Sequence, residues 1–144
     1  MAFRGQYDYS LDAKNRFNIP PKFRASFSDG LVLAKWLEPC VTIWTPEGFD
    51  AVTEVYLGDL HPLSEERRKL VRYFTHNSFD AELDSAGRVT MHSRLLEHAG
   101  IDRAVVVAGN FDHVEVWNHE AWEADQADLG PQVTELASRF GHAS

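Results

Sequence analysis

A five-residue stretch occurs twice in this chain, as Asp12-Ala-Lys-Asn-Arg16 and as Asp84-Ser-Ala-Gly-Arg88. Apolar, strand-like lead-ins precede the copies (Tyr7, Tyr9, Leu11; Phe79, Ala81, Leu83) and apolar exits follow them (Phe17, Ile19; Val89, Met91). An Asp side chain accepts hydrogen bonds from backbone amides two residues on, and Asn15 and Gly87 stand where a tight turn needs a left-handed residue. The pattern predicts a hairpin at each copy, with Gln6 to Ser10 and Arg16 to Ile19 as the arms of the first. Each turn then presents an arginine from a fixed position.

The correspondence runs on past the turns. Leu31-Val32-Leu33-Ala34 matches Val105-Val106-Val107-Ala108, and Val41-Thr42-Ile43-Trp44 matches Val114-Glu115-Val116-Trp117, each Trp being followed by a capped helix start. The offset stays near roughly 73 residues, too long for a solenoid unit and suited to a duplicated small domain. The expected units are residues 1–58 as the first repeat, 59–75 as a helical connector, 76–124 as the second repeat and 125–144 as a helical tail that frays at its end. Half of a 144-residue chain is near the size at which a core becomes marginal. The halves are therefore expected to share a core.

Local signals fill in the plan. Pro20 and Pro21 open a helix through about Phe27, and Leu31 to Trp36 pairs with Cys40 to Trp44. Thr45 caps a helix ending by Gly58, Ser64 caps the connector, Ser93 caps a short helix that Gly100 stops, and Asn118 caps the next. Beyond Gly130-Pro131, the spacing of Val133, Leu136, Ala137 and Phe140 predicts a last amphipathic helix. Trp44, Trp117 and Trp122 read as core or subunit-interface packing rather than a platform for stacking bases.

A net charge of −8 weighs against a nucleic-acid partner, but the charge is segregated. Residues 1–24 hold five basic side chains (Arg4, Lys14, Arg16, Lys22, Arg24) against Asp8 and Asp12, whereas residues 112–144 hold seven acidic ones against Arg139. Such a field can steer an anion to one face of an acidic molecule. The single cysteine, Cys40, excludes a disulfide within the chain and fits a reducing compartment. No apolar run approaches membrane-spanning length and the first residues lack a signal-peptide core. The expected setting is the cytoplasm, with neither membrane nor small-molecule substrate as partner.

Catalysis is not expected. The seven histidines, His61, His76, His92, His98, His113, His119 and His142, show no helical metal-site pair, and Cys40 has no base partner in the sequence. Neither a glycine-rich phosphate loop nor a nucleophile elbow is present. No metal and no cofactor is expected.

Phe3-Arg4-Gly5, the two Asp-x-x-x-Arg turns, Ile19-Pro20-x-Lys22-Phe23-Arg24, Ala99-Gly100 and Glu115-Val116-Trp117-x-x-x-x-Trp122 together resemble the MraZ family, over nearly the whole chain. The chain departs from that pattern at Asn15, where glycine is usual, and at His92, where proline is usual. The resemblance implies an α+β fold of two tandem AbrB-like (SpoVT-AbrB, swapped-hairpin) repeats, packed into one pseudo-symmetric, β-barrel-like core with flanking helices. It further implies a nucleoid-associated, sequence-specific DNA-binding transcriptional regulator that represses the promoter of its own cell-division and cell-wall gene cluster as a ring-shaped homo-oligomer on repeated double-stranded sites. Carried over, Arg16 and Arg88 would contact DNA, Lys14, Arg24, Arg4 and Lys22 would add contacts, and Asp12, Asn15, Asp84 and Gly87 would structure the turns. A guanidinium offers a planar fork of donors to phosphate or guanine, and a two-stranded ribbon fits the major groove. The bland reading of each arginine is a local ion pair with the Asp four residues earlier. A rival function is an antitoxin-like assembly module that binds a protein instead of DNA.

Overall fold

A computed structural model describes residues 2–140, and it is built in three layers. The middle layer is an antiparallel six-stranded sheet in the order β1-β7-β8-β4-β3-β5, from β1 (Gln6–Ser10), β3 (Leu31–Lys35), β4 (Val41–Trp44), β5 (Ser78–Ala81), β7 (Ala104–Asn110) and β8 (His113–Asn118). One face carries a two-stranded ribbon of β2 (Arg16–Asn18) and β6 (Arg88–Thr90) with the short helices α1 (Pro21–Arg24) and α4 (Ser93–Ala99). The other face is covered by α2 (Pro46–Leu57), α3 (Glu65–His76) and α5 (His119–Leu129). Beyond α5 a 3-10 turn at Gly130–Gln132 leads into α6 (Val133–Phe140).

The double cover explains the sequence of the inner strands. Leu31, Leu33, Val41, Ile43, Val105, Val107, Val114 and Val116 point into the core beneath the ribbon, with Phe17, Ile19, Val89 and Met91. Val32, Ala34, Trp36, Trp44 and Trp117 point the other way, against Phe49, Val52, Leu70, Tyr73, Phe74 and Trp122 of the helices. Strands buried on both faces become continuous apolar runs, whereas edge strand β1 alternates between exposed and half-buried residues. The tryptophans are packing residues, Trp44 and Trp117 buried and Trp122 half-buried.

The α+β class and the shared core follow the sequence reading, but the expected hairpins do not form as such. Beyond the backbone bond from Asp12 N–H to the Arg16 carbonyl (2.9 Å), the arms part company: β1 pairs with β7 and β2 with β6. In the second half β5 pairs with β3 of the first. Each half thus lends its first strand to the other half's strand pair, which completes one six-stranded sheet that neither half could build alone. The sheet is open, with β1 and β5 at its edges, and does not close into a barrel.

Register fixes the symmetry. In the ribbon Phe17 faces Val89, its own equivalent (89 − 17 = 72), flanked by the pairs Arg16↔Thr90 and Asn18↔Arg88. In the sheet Thr42 faces Glu115, again its equivalent (115 − 42 = 73), flanked by Val41↔Val116 and Ile43↔Val114. A pseudo-twofold axis therefore passes through both points.

Capping follows the local signals, with one change. Thr45, Ser64 and Asn118 accept from Gly48, Arg67 and Ala121 N–H, and Gly100 ends α4 in the left-handed region. At α4, however, the cap is His92, whose Nδ1 accepts from Arg94 N–H at 3.1 Å, and Ser93 is the first helical residue. The imidazole does the work expected of the hydroxyl, and it stacks on Phe79 at 4.0 Å. The expected fraying beyond Phe140, and His142, lie outside the described residues.

The helical face encloses a polar cluster around His113. His113 stacks on Trp44 at 4.2 Å, with Nδ1 2.7 Å from Asp112 Oδ1 and Nε2 3.5 Å from Glu115 Oε2, while Trp117 Nε1 donates to Glu115 Oε1. Burial pulls the His113 pKa down, but hydrogen bonds and charge from Glu115 and Asp112 more than offset it, and the net shift is upward. Burial pushes the Cys40 thiol far above its ordinary range. No helix among the described residues is long and apolar enough to cross a membrane, and no cluster of three or more His, Cys, Asp or Glu there is arranged to hold a metal.

Candidate functional site

The two Asp-x-x-x-Arg turns have the same internal wiring. Asp12 Oδ1 accepts from the backbone N–H of Lys14 and of Arg16, both at 2.9 Å, and its Oδ2 accepts from Arg16 Nε at 2.7 Å. Asp84 repeats this with Ala86 N–H, Arg88 N–H and Arg88 Nε, all at 2.9 Å. Asn15 N–H and Gly87 N–H each close on the Asp carbonyl at 3.0 Å, and both residues are left-handed, with φ of 59° and 78°. The Arg16 amide lowers the Asp12 pKa to about 2, helped by the Arg16 side chain, and the Arg88 amide acts likewise on Asp84. Both carboxylates are thus held as anions that aim their arginines.

The local ion pair is real at both turns, yet it occupies only Nε of each arginine. The Nη nitrogens keep donors for another acceptor, and both side chains are half-buried at the surface. The pseudo-twofold brings the two turns together: Arg88 Nη1 lies 3.8 Å from Asp12 Oδ2, Ile19 N–H donates to the Gly87 carbonyl (3.0 Å) and Met91 N–H to the Asn15 carbonyl (2.8 Å). Two arginines distant in sequence thereby become one cluster. Only the strand register reveals this, through the pairing of Asn18 with Arg88.

The other basic positions divide. Lys14 sits exposed on the first turn itself. Lys22 is exposed on α1, directly after the ribbon strand. Arg24 is half-buried, with Nε donating to the Ile19 carbonyl at 2.9 Å, and it lies across Gly87 of the second turn. Arg4 is exposed at the far end of β1, where Phe3 bridges Phe111 and a Cβ on Gly109 would press into the Phe3–Arg4 backbone. Eight residues of extended chain, about 27 Å at 3.4 Å each, separate it from Asp12, and it takes no part in the turn cluster. A residue without any signal in the turn motif borders the lead-in to the first turn: the Arg103 carbonyl accepts Leu11 N–H at 2.9 Å, and the residue is exposed.

Comparison with known proteins agrees with this architecture. The family model of the MraZ protein, described as antitoxin-like, matches residues 2–61 and 74–137, one segment for each repeat. A protein of Lachnoclostridium phytofermentans named transcriptional regulator MraZ is 34% identical over 139 residues, covering 96% of this chain and 97% of its own. Proteins of the same name from Thermoanaerobacter pseudethanolicus and Limosilactobacillus fermentum are 35% and 33% identical, covering 94% and 96% of each chain. With both repeats matched and relatives aligned almost end to end, the chain belongs to the MraZ family.

Proposed function

We propose that this protein is a non-enzymatic, sequence-specific DNA-binding transcriptional regulator whose reading head is the pair of Asp-x-x-x-Arg turns. The observation that carries the proposal is the arginine cluster: Arg16 and Arg88, each clamped through Nε by its own Asp, drawn together across the pseudo-twofold with Arg88 Nη1 3.8 Å from Asp12 Oδ2, so that the clamps take their hydrogen bonds from Nε alone. Pre-aimed guanidiniums lose little freedom on meeting a phosphate or a guanine edge. The names borne by its relatives support the regulatory role.

Two arginines and a few lysines per chain make a weak binder. Affinity therefore comes from repetition, with a ring-shaped homo-oligomer engaging repeated sites in the promoter of its own cell-division and cell-wall gene cluster and repressing it. Exposed Val55, Leu63, Val133 and Phe140 on the helical side supply apolar surface for subunit contacts away from the turns.

The test is an anisotropy titration on duplex DNA from upstream of its own gene, with the wild type, Arg16→Ala and Arg88→Ala. Each phosphate contact contributes about 0.9 to the log–log salt slope, so raising salt from about 50 to about 200 mM should weaken binding about 3.5-fold per contact. Arg16→Ala should abolish binding without changing oligomer size. A second reading, an antitoxin-like module that captures a protein, is favoured by the description of the family and by the uncovered sheet edges at β1 and β5. Equal, salt-insensitive behaviour of all three proteins would select it.

A further inference from the structure

The two turns have the same internal wiring, but their surroundings differ at equivalent positions. Around the second turn, Gly87 is buried, and a Cβ there would fall 2.8 Å from Arg24 Cδ and closer still to Nε and Cζ. Arg24 is anchored from the other side, its Nε bonded to the Ile19 carbonyl while Ile19 N–H donates to the Gly87 carbonyl. The glycine is thus needed twice, for its φ of 78° and for the space the Arg24 side chain fills. Around the first turn the equivalent residues are Asn15, which is exposed and left-handed with its Cβ in place, and Leu96, which packs into the core. No arginine comes from α4 to brace that turn.

We propose that Arg24 of the first repeat is the positioning residue of the second turn: laid across Gly87, it sets where Arg88 stands for its DNA acceptor, so that the two turns of one chain are mechanically unequal. The role rests on the DNA-binding reading. Arg24 acts through Arg88, by filling the space beneath the turn and tying it to the start of α1. The sequence alone would make Arg24 one more contact. The geometry assigns it a bracket.

The experiment is a pair of mutant cycles in the full-length protein, read by anisotropy on the same upstream duplex and by thermal melting. In the first cycle, Gly87→Asn alone should weaken binding about tenfold or more, because asparagine tolerates the φ but its Cβ collides with Arg24. Joined with Arg24→Leu, which recreates the pairing found at the first turn, it should bind as Arg24→Leu alone does. In the second cycle, Arg24→Leu should weaken binding several-fold in the otherwise wild-type protein and have no effect in an Arg88→Ala background. Multiplicative losses in the first cycle, or an equal effect of Arg24→Leu with and without Arg88→Ala, overturn the proposal. Wild type that fails to bind duplex refutes the DNA reading and the positioning role together. Melting then separates the two failures: rescue of Gly87→Asn stability by Arg24→Leu would leave the bracket as a purely structural device.

Discussion

Phe17→Ala tests whether the ribbon seats the reading head. Phe17 is 1% exposed and stands on the pseudo-twofold, opposite Val89, in the core cluster that also holds Ile19, Met91, Phe23 and Leu95. Removing a buried phenyl from a packed site costs about 3 to 5 kcal/mol, the transfer term plus the cavity. A chain of 144 residues has an unfolding entropy near 0.30 kcal/mol/K at about 2.1 cal/mol/K per residue, so the melting temperature should fall by roughly 10 to 17 °C. Phe111→Ala is the control, since Phe111 is 72% exposed and its removal should move the melting temperature by no more than about 2 °C. Calorimetry measures both. The ribbon carries Arg16 and Arg88 on adjacent strands, so binding by both turns should suffer together in whatever fraction stays folded. A drop of only a few degrees, or loss of one turn's contribution alone, would refute the claim that one shared core holds the two turns.

Carboxyl NMR titration should find Asp12 titrating at about 2 and Asp84 below the usual carboxylate value; because the folded pKa values are depressed, their stabilising effect is present above about pH 4 and lost as pH falls through them, and ordinary values would contradict the turn wiring. His113 has the opposite sign: its raised folded pKa means that its contribution is complete below the unfolded value of about 6.5 and disappears as pH rises through the folded one, so the wild type should lose melting temperature on that climb and His113→Gln should not. Residues 1–62 alone lack the partners of β1, β2 and the outer side of β4, all of which lie in residues 63–144. Size-exclusion chromatography should show that fragment self-associated or unfolded, and a one-to-one complex when the two fragments are mixed; a cooperatively melting monomer of 1–62 would rule out the strand exchange.

What the sequence made legible was whatever local chemistry decides. Asp12 and Asp84 reach amides two and four residues away, Thr45 and Asn118 bond the third residue of their own helices, and Gly100 needs only its own φ, so each was readable from a short window. The doubled pattern also pointed to the shared core, because repeats too small to stand alone must share one, while the α+β class came with the family resemblance. Strand partners were hidden for a physical reason: period-two alternation says which face a residue takes and nothing about which strand lies beside it. Tyr7 and Tyr9 alternate in the same way whether β1 pairs with β2 or, as it does, with β7. The Arg24 bracket and the Arg103 neighbour were invisible on the same grounds, each being made across the two halves.

Fusion of the repeats bears on function. A homodimer of single repeats would place identical turns on either side of a true twofold, and any substitution would strike both at once. Here the same arrangement is held within one chain, and the two sides are free to differ. Lys14 and Asn15 on the first turn stand against Ala86 and Gly87 on the second, and Arg24 beneath the second turn stands against Leu96 beneath the first. The backbone bonds and the Asp-to-Arg clamps are identical in pattern at both turns, so the differences fall on charge and support and leave the position of the arginines' backbone intact. On the proposed DNA-binding reading, a duplex bound by such a head would meet an extra lysine on one side and a braced arginine on the other. If the turns read DNA as proposed, orientation would be decided within a single chain, before any second subunit is added.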